Sequence, residues 1–540
     1  MANRNILLIE PGYRNKYPPL GLMKIAQYHG PLGKRDNVRF IKGEDQSARY
    51  TPWDRVYITT LFSFEWSRTA RSIDFALSLV GGQAHRVFVG GIAASLMQKA
   101  YLEEPRWRGV RFIKGLLGQA PAVSLQLDPF EEELYSNDVD GIPIEDLIPD
   151  YSILPHIEYQ YPVSDAYFTY ASRGCVRKCA FCGVPTLEGA QRDTNSLSTV
   201  IKGVANLYGE KRDLILMDNN VVASAKFKDI ISEIIDLGFE HGATLHRGKQ
   251  KLRRRVDFNQ GVDARILCKD PMYLRELSRI ALKPLRIAFD HLGLKKPYSQ
   301  AVMYAANSGI YNLSNYMLYN FHDSPADLFE RMRLNVTLNE ELGIRIYSFP
   351  MRYQPVNRKD RGHIGKNWNS YFLRSMQIIL QATHGIVSGS PDYFKVAFGD
   401  TFLEFESILF KPHHYIFNRF WYEHFDGKAE HEAFKISFGS LSTDEKSELL
   451  QFLCTRSSNR YKEDLSMLSL GRLRDAASYF VPITNEQEQK IWGQRKDLNI
   501  LINPKLVPED ERIEDAALTD QDFLPSSKTT HLQLNASPAV

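Results

Sequence analysis

The sequence predicts an α/β protein in three parts: a Rossmann-like parallel-sheet domain over residues 1–120, a partial (β/α)6 TIM-like barrel over 162–355, and a mainly helical region over 356–507. Three observations predict it. Apolar runs long enough for buried strands alternate with stretches of helical spacing in the first part, the rhythm of a parallel sheet with helices on both faces. The same alternation then recurs six times in succession, as an incomplete barrel requires. Beyond Gln354 the apolar residues recur at helical spacing only.

In the first part, Ile6 to Ile9 reads as a buried strand, Leu20 to Tyr28 as a helix, Val56 to Leu61 as a strand, Ala70 to Val80 as a helix and Val87 to Val89 as a third strand. That strand runs into Gly90 and Gly91. Adjacent glycines there let a backbone approach a cofactor at the carboxyl edge of the sheet, although a tight turn needs them equally. Residues 121–161 are acidic, contain prolines and read as a surface linker. The six barrel strands are Tyr167 to Tyr170, Leu214 to Met217, Val256 to Asn259, Leu285 to Phe289, Tyr316 to Tyr319 and Arg345 to Phe349. Helices near Leu197 to Tyr208, Phe227 to Leu237, Met272 to Ile280, Tyr298 to Ala306 and Ala326 to Leu342 separate them. The last of these shows its ends, with Asp323 or Ser324 as N-cap, Pro325 at the first position and Gly343 as the stop. In the third part Phe372, Met376, Ile379 and Leu380 form one helical stripe, and Phe402, Phe405, Ile408, Leu409 and Phe410 another; both read as core. From Pro508 the chain is polar and aperiodic, which predicts disorder over 508–540. No internal repeat is expected.

Composition narrows the function classes. Five cysteines in 540 residues do not make a disulfide scaffold. The start has only a four-residue apolar run before Glu10, too short for a signal peptide, and no stretch approaches the about eighteen apolar residues of a membrane span. A cytoplasmic protein with no membrane partner is expected. A net charge of +3 excludes the molecule as a whole from polyanion binding. The local exception is residues 246–255, HRGKQKLRRR, with six Lys or Arg in ten. It reads as a solvated insertion, with nucleic acid or another polyanion as the alternative.

The chemistry is carried by Cys175, Cys179 and Cys182 in SRGCVRKCAFCG. C-x3-C-x2-C supplies three thiolates and no fourth. A four-iron, four-sulfur cluster held this way keeps one iron open, to bind and activate a substrate as well as to pass electrons. A closed zinc site wants four ligands, usually in two pairs, and no second pair exists. Cys268 and Cys454 stand alone and read as small buried apolar residues. The loop follows the first barrel strand, on the face where barrel enzymes carry their chemistry.

These cysteines, with Phe181 before the last of them, resemble the signature of the radical S-adenosylmethionine (radical SAM) superfamily. The segments ILLIEPGYRNKYPPLGLMKIA and VGGIAAS resemble a cobalamin-binding domain placed ahead of it, so the resemblance covers roughly residues 1 to 355. It implies a 4Fe-4S cluster on the three cysteines and S-adenosyl-L-methionine chelated to the fourth iron. One electron from an external reductant of the flavodoxin or ferredoxin kind would cleave it to a 5′-deoxyadenosyl radical. Phe181 would pack near the adenine or fill the underside of the loop. Asp218 and Asn219 stand where relatives carry a glycine-rich motif that binds the methionyl amine, with an Asx turn as the alternative. Gln260, Asp263 and Arg265 follow the third strand, and Arg265 would fork onto the cofactor's carboxylate. Asp290 and His291, and Arg352 and Tyr353, are candidates to face the substrate. Cobalamin stays open, because D-x-H-x-x-G is absent and some relatives bind cobalamin without it. Methyl transfer through cobalamin, modification of RNA, and a non-catalytic iron-sulfur carrier or regulator are the competing readings; the substrate is unidentified. No cysteine precedes Cys175, which argues against a methylthiotransferase.

Overall fold

Five parallel strands make the first sheet: β1 (Asn5–Glu10), β2 (Asn37–Lys42), β3 (Arg55–Thr60), β4 (Val87–Gly91) and β5 (Arg111–Phe112). The computed structural model describes residues 4–117 and 143–493, except 195, 384, 388, 456–460, 467, 469 and 470. The expected tail and residues 118–142 of the expected linker lie outside them. The strand order is β2-β1-β3-β4-β5, so the direction of winding reverses between β1 and β3. A doubly wound sheet opens its ligand crevice at the carboxyl ends of such a pair. β1, β3 and β4 are apolar runs because both of their faces are covered. Ile6 and Leu8 enter one core while Leu7 and Ile9 enter another on the opposite face.

The two edge strands escape the apolar criterion, because edges tolerate charge. They also correct the expectation of no repeat: residues 37–43, NVRFIKG, and 109–115, GVRFIKG, match at six of seven positions and form the two opposite edges of one sheet.

The middle part supplies β6 (Ala166–Thr169), β7 (Ser172–Arg173), β8 (Arg192–Asp193), β9 (Asp213–Leu216), β10 (Thr244–Arg247), β11 (Gln250–Arg253), β12 (Arg255–Phe258), β13 (Leu285–Arg286), β14 (Asn312–Tyr319) and β15 (Arg345–Arg352). β6, β9 and β12 form one parallel sheet and β13, β14 and β15 another. Parallel bridges Val256–Leu282 and Val262–Ile287 join them. The six expected strands are thus present in sequence order. β13 is shorter than expected. β14 begins four residues early, across NLSN, where the polar side chains are spent inside: Asn315 Nδ2 donates to Tyr298 Oη (2.7 Å) and Arg286 Nη1 to Ser314 Oγ (3.2 Å).

The helix Pro325–Leu342 is capped by Ser324, which forms a reciprocal capping box with Asp327, and ends at Gly343 with φ +63°. Asp323 is instead the partner of buried Arg331 (2.9 Å). Helices Ser370–Ala382 and Phe402–Phe410 bury Phe372, Met376, Ile379, Leu380, Phe405, Ile408 and Leu409, as their stripes require. Within the expected linker, Ile144, Tyr151, Ile153 and Tyr161 are buried, and Tyr151 Oη donates to Ala166 O (2.8 Å). Residues 143–161 are therefore packed covering rather than bare surface. No helix of the described residues is long and apolar enough to cross a membrane.

Candidate functional site

A two-residue antiparallel ladder closes the cysteine loop at its neck, with Ser172 opposite Asp193 and Arg173 opposite Arg192. Gly174 follows at φ +76°, and a Cβ there would lie 2.6 Å from Ala190 C, so only glycine lets the two arms of the loop meet. Asp218 holds the neck to the end of β9. Its fully buried carboxylate accepts from Ala171 N (3.0 Å), Ser172 N (2.6 Å) and Ser172 Oγ (2.7 Å). Three of the four lone pairs of this sealed carboxylate are thus taken by the loop, a bracing role that departs from the expected contact with a ligand amine. Burial, opposed by those donors, pushes the carboxyl up to about 6. Asn219 Nδ2 donates to Glu188 (2.9 Å), which also accepts from Gly174 N (2.7 Å) and pairs with Arg173 (3.3 Å). Glu188 was missed by sequence reasoning; the only signal was an acidic residue six places after the last cysteine.

The three thiols are half-buried and unoxidised. Cys182 N donates to Cys179 O (3.0 Å), Cys175 N to Gly189 O (3.3 Å) and Arg177 N to Cys175 Sγ (3.3 Å). Arg265 lies close enough to Cys179 for its charge to act on the thiol. Burial pushes the Cys179 thiol up against the pull of Arg265, and burial pushes Cys182 up against the Val184 N–H. Arg265 is also paired with Asp263 (2.8 Å), whose other oxygen takes Arg177 (2.6 Å). The Nε–H of Arg265 is thus spent on Asp263, with the guanidinium near Cys179. Asp263 caps the helix Ala264–Leu267, and its two arginines outweigh burial to hold its carboxyl below the usual range.

Asp290 lies close enough for its charge to act on Cys179 and Cys182; burial, against Arg331 and Arg265, pushes its carboxyl up to about 6. Asp263, Arg265, Asp290 and Phe181 therefore gather around the cysteines, whereas Gln260 is exposed at the turn after β12 and His291 is exposed after β13. Phe181 meets Phe321 edge-on (5.7 Å), Phe321 meets Tyr353 (4.7 Å) and Tyr353 meets His363 (5.3 Å). This aromatic chain joins the cysteine loop to the carboxyl ends of β14 and β15. Arg352 turns elsewhere. It shares strand parity with Ser348, whose Oγ accepts from Asn335 on the helix Pro325–Leu342, and its Nη2 donates to His363 O (3.0 Å).

The first domain reaches this loop directly. Gly183, next to Cys182, packs on Leu96, whose Cδ1 would be 2.8 Å from an added Cβ. The helix Ile92–Leu96 begins just after Gly91, so the end of β4 and the cysteine loop face each other. Gly91 is at φ +97°, and a Cβ would fall 2.8 Å from Thr60 N and closer to Thr60 O; strand packing requires this glycine. A Cβ at Gly90 meets no atom within 4 Å. Next to β1, Glu10 is buried and bonded to Lys42 (2.5 Å), Asn15 (2.7 Å) and Tyr161. Tyr17 Oη donates to Asn259 Oδ1 (2.7 Å) at the end of β12, and Arg361 pairs with Glu65 (3.5 Å) over the ring of Phe64 (4.1 Å), tying the parts together.

Among the described residues, no three His, Cys, Asp or Glu side chains are gathered tightly enough to hold a single metal ion. The donor set fits a cluster better than an ion: three soft thiols on one loop, with no fourth ligand, and an iron-sulfur cube is larger than one ion and takes its ligands farther apart. The Cα of Gly90 is uncovered at the carboxyl edge of β4, and neither histidine of residues 4–117 is at that edge. His29 is buried between Asp36 (2.8 Å) and Tyr57 (3.0 Å), and His85 precedes β4.

No protein-family model matches the chain. A curated protein of the cyanobacterium Synechocystis sp., described as an uncharacterized methyltransferase, is 24% identical over 216 residues, 39% of this chain. The matched stretch spans 37% of that relative's length. Two solved structures of the radical S-adenosylmethionine methyltransferase TsrM from Kitasatospora setae are also similar. One, with cobalamin and a [4Fe-4S] cluster bound, has a TM-score of 0.40 at 14% identity, covering 66% of this chain and 77% of the other. The second, with tryptophan substrate and a SAM analogue, has a TM-score of 0.43 at 15% identity, covering 66% and 75%.

Proposed function

We propose that this chain is a radical SAM enzyme, with a 4Fe-4S cluster held by Cys175, Cys179 and Cys182 and S-adenosyl-L-methionine as co-substrate. The observation that carries the reading is the cysteine loop itself: three thiols and no fourth ligand, on a closed loop after the first of six parallel strands. The cluster would supply one electron to the sulfonium and an open iron to seat the amino and carboxylate groups. The chain supplies the rest. Asp218 and Glu188 brace the neck, and Asp263 fixes Arg177 and Arg265 so that a cation stands beside Cys179, offsetting thiolate charge. Asp290, near Cys179 and Cys182, would be the carboxyl to exchange a proton with a substrate, and the Phe181–Phe321–Tyr353 rings would help to keep water out.

The finer reading is methyl transfer assisted by cobalamin. It is supported by the open space at Gly90, by the Leu96–Gly183 contact that brings the two parts together, and by the methyltransferase description of the Synechocystis relative over the shared stretch.

Anaerobic reconstitution with iron and sulfide should load about four irons per chain. Cys175→Ala, Cys179→Ala and Cys182→Ala should each lose S-adenosylmethionine cleavage, read as 5′-deoxyadenosine, with the melting temperature kept. Cleavage retained in Cys179→Ala would overturn the assignment, while Cys268→Ala and Cys454→Ala should load iron like the parent.

A further inference from the structure

The basic run 246–255 is a built element. Residues 244–253 form the antiparallel hairpin β10–β11, with Leu245 opposite Leu252, His246 opposite Lys251 and Thr244 opposite Arg253. Leu245 is buried, so the face carrying His246, Lys251 and Arg253 is turned outward. Both ends are pinned. Arg247, next to the turn, makes two 2.9 Å bonds to Asp165, and Arg254, just after the ladder, pairs with Glu210 (3.3 Å) and lies over the Phe239 ring (4.5 Å). Lys249, Lys251 and Arg253 are exposed and reach no carboxylate among the described residues. Beside the hairpin is an open groove of about 540 Å³ lined by Asp165, Tyr208, Glu210, Lys211, His246 and Arg247. Around it, residues 208–213 and 244–255 with Asp165 hold eight Lys or Arg against three carboxylates, a surplus of five in a chain whose total surplus is three.

We propose that this hairpin and its groove bind the sugar-phosphate backbone of a single-stranded nucleic acid. Cations two apart on a strand are about 7 Å apart, of the order of the spacing of successive phosphates in an extended nucleotide chain. A ribbon pinned at both ends holds them without the entropy that loose lysines would lose. The acids of the groove are already neutralised by Arg247 and Arg254, so they do not repel a phosphate. Since β12 starts at Arg255 and the cysteine loop follows the opposite ends of the strands, the surface would tether a nucleic acid rather than feed it to the cysteines. It does not rest on the radical SAM reading.

The test is fluorescence anisotropy of a labelled oligo-U RNA and an oligo-dT DNA with the full-length protein over a salt series. Three phosphate contacts on a single strand give a slope of log K against log salt of about −2. Lys249→Gln/Lys251→Gln/Arg253→Gln should weaken binding at least tenfold at low salt and remove most of that slope, with an unchanged melting temperature. Stronger binding of RNA than of DNA would identify RNA as the source of the backbone, and the reverse DNA. No binding at low salt, equal binding by the triple variant, or a polyglutamate peptide bound as tightly as the oligonucleotides would each overturn the proposal, the last in favour of an acidic protein.

Discussion

At the scale of single residues, aspartates of the same type do opposite work. Asp218 is sealed and faces three donors, whereas Asp290 is half-buried near two thiols. Asp218→Ala would strand Ala171 N, Ser172 N and Ser172 Oγ in a dry site, at a cost of about 3 kcal/mol or more. Urea denaturation at pH 7 should show that loss, and iron retention should fall as the neck loosens. The pH dependence has a definite sign. The folded carboxyl titrates at about 6, above its unfolded value, so its contribution is full below about pH 4 and is lost as pH rises through 6. Stability measured from pH 4 to 6 should decline in the parent more than in Asp218→Ala; parallel profiles would refute the burial of this charge. The two adjacent glycines separate in the same way. Gly91→Val forces a Cβ into Thr60 and should unfold the first domain, whereas Gly90→Val enters open space. Gly90→Val is therefore the variant that tests cobalamin: the melting temperature should stay near the parent's and retained cobalamin, read by absorbance, should drop. Full retention would place the cofactor elsewhere or dispense with it.

At the scale of elements, the neck ladder, the helix Ile92–Leu96 and the carboxyl ends of β12 to β15 converge on one loop. Strands of two to eight residues do this, each leaving its end residues free to bond across. The six parallel strands of the middle part were legible as apolar runs, and the capped helix Pro325–Leu342 as a pattern of Ser324, Pro325 and Gly343. β2, β5 and the start of β14 were not. Edge charge concealed the first two, and polar residues satisfied by distant partners concealed the third. The ladder β7–β8 is four residues of ordinary polarity that pair only because Asp218 and Gly174 hold them together, and no local pattern announces that.

At the scale of the molecule, one apolar core runs from Ile6 and Leu8 of the first sheet through the middle part to Ile491. Phe329 of the middle part packs on Phe394 (5.7 Å) and Phe405 (5.5 Å) of the helical region. A chain ended at residue 355 would uncover Phe329 and its neighbours, each buried ring being worth about 2 kcal/mol or more of transfer free energy. That fragment should be recovered as aggregate, and a soluble fragment with a cooperative melt would show that the helical region is dispensable for folding. The same continuity explains why the first domain is held against the cysteine loop by Leu96, Tyr17 and Arg361 rather than by a flexible joint.

The sequence by itself determined the architecture and the reactive group. Apolar periodicity follows from burial, which each residue reports locally, and three closely spaced thiols are a chemical statement wherever they fold. Only the tertiary structure decided the roles of the residues around them. Asp218, Asp263, Arg265 and Arg352 differ little as letters after a strand, and what each can bind depends on which groups, 2 to 86 places away, already use its hydrogen-bonding capacity. Glu188, Gly183 and Leu96 had no signal at all, because their work is to meet partners that the chain brings near only on folding.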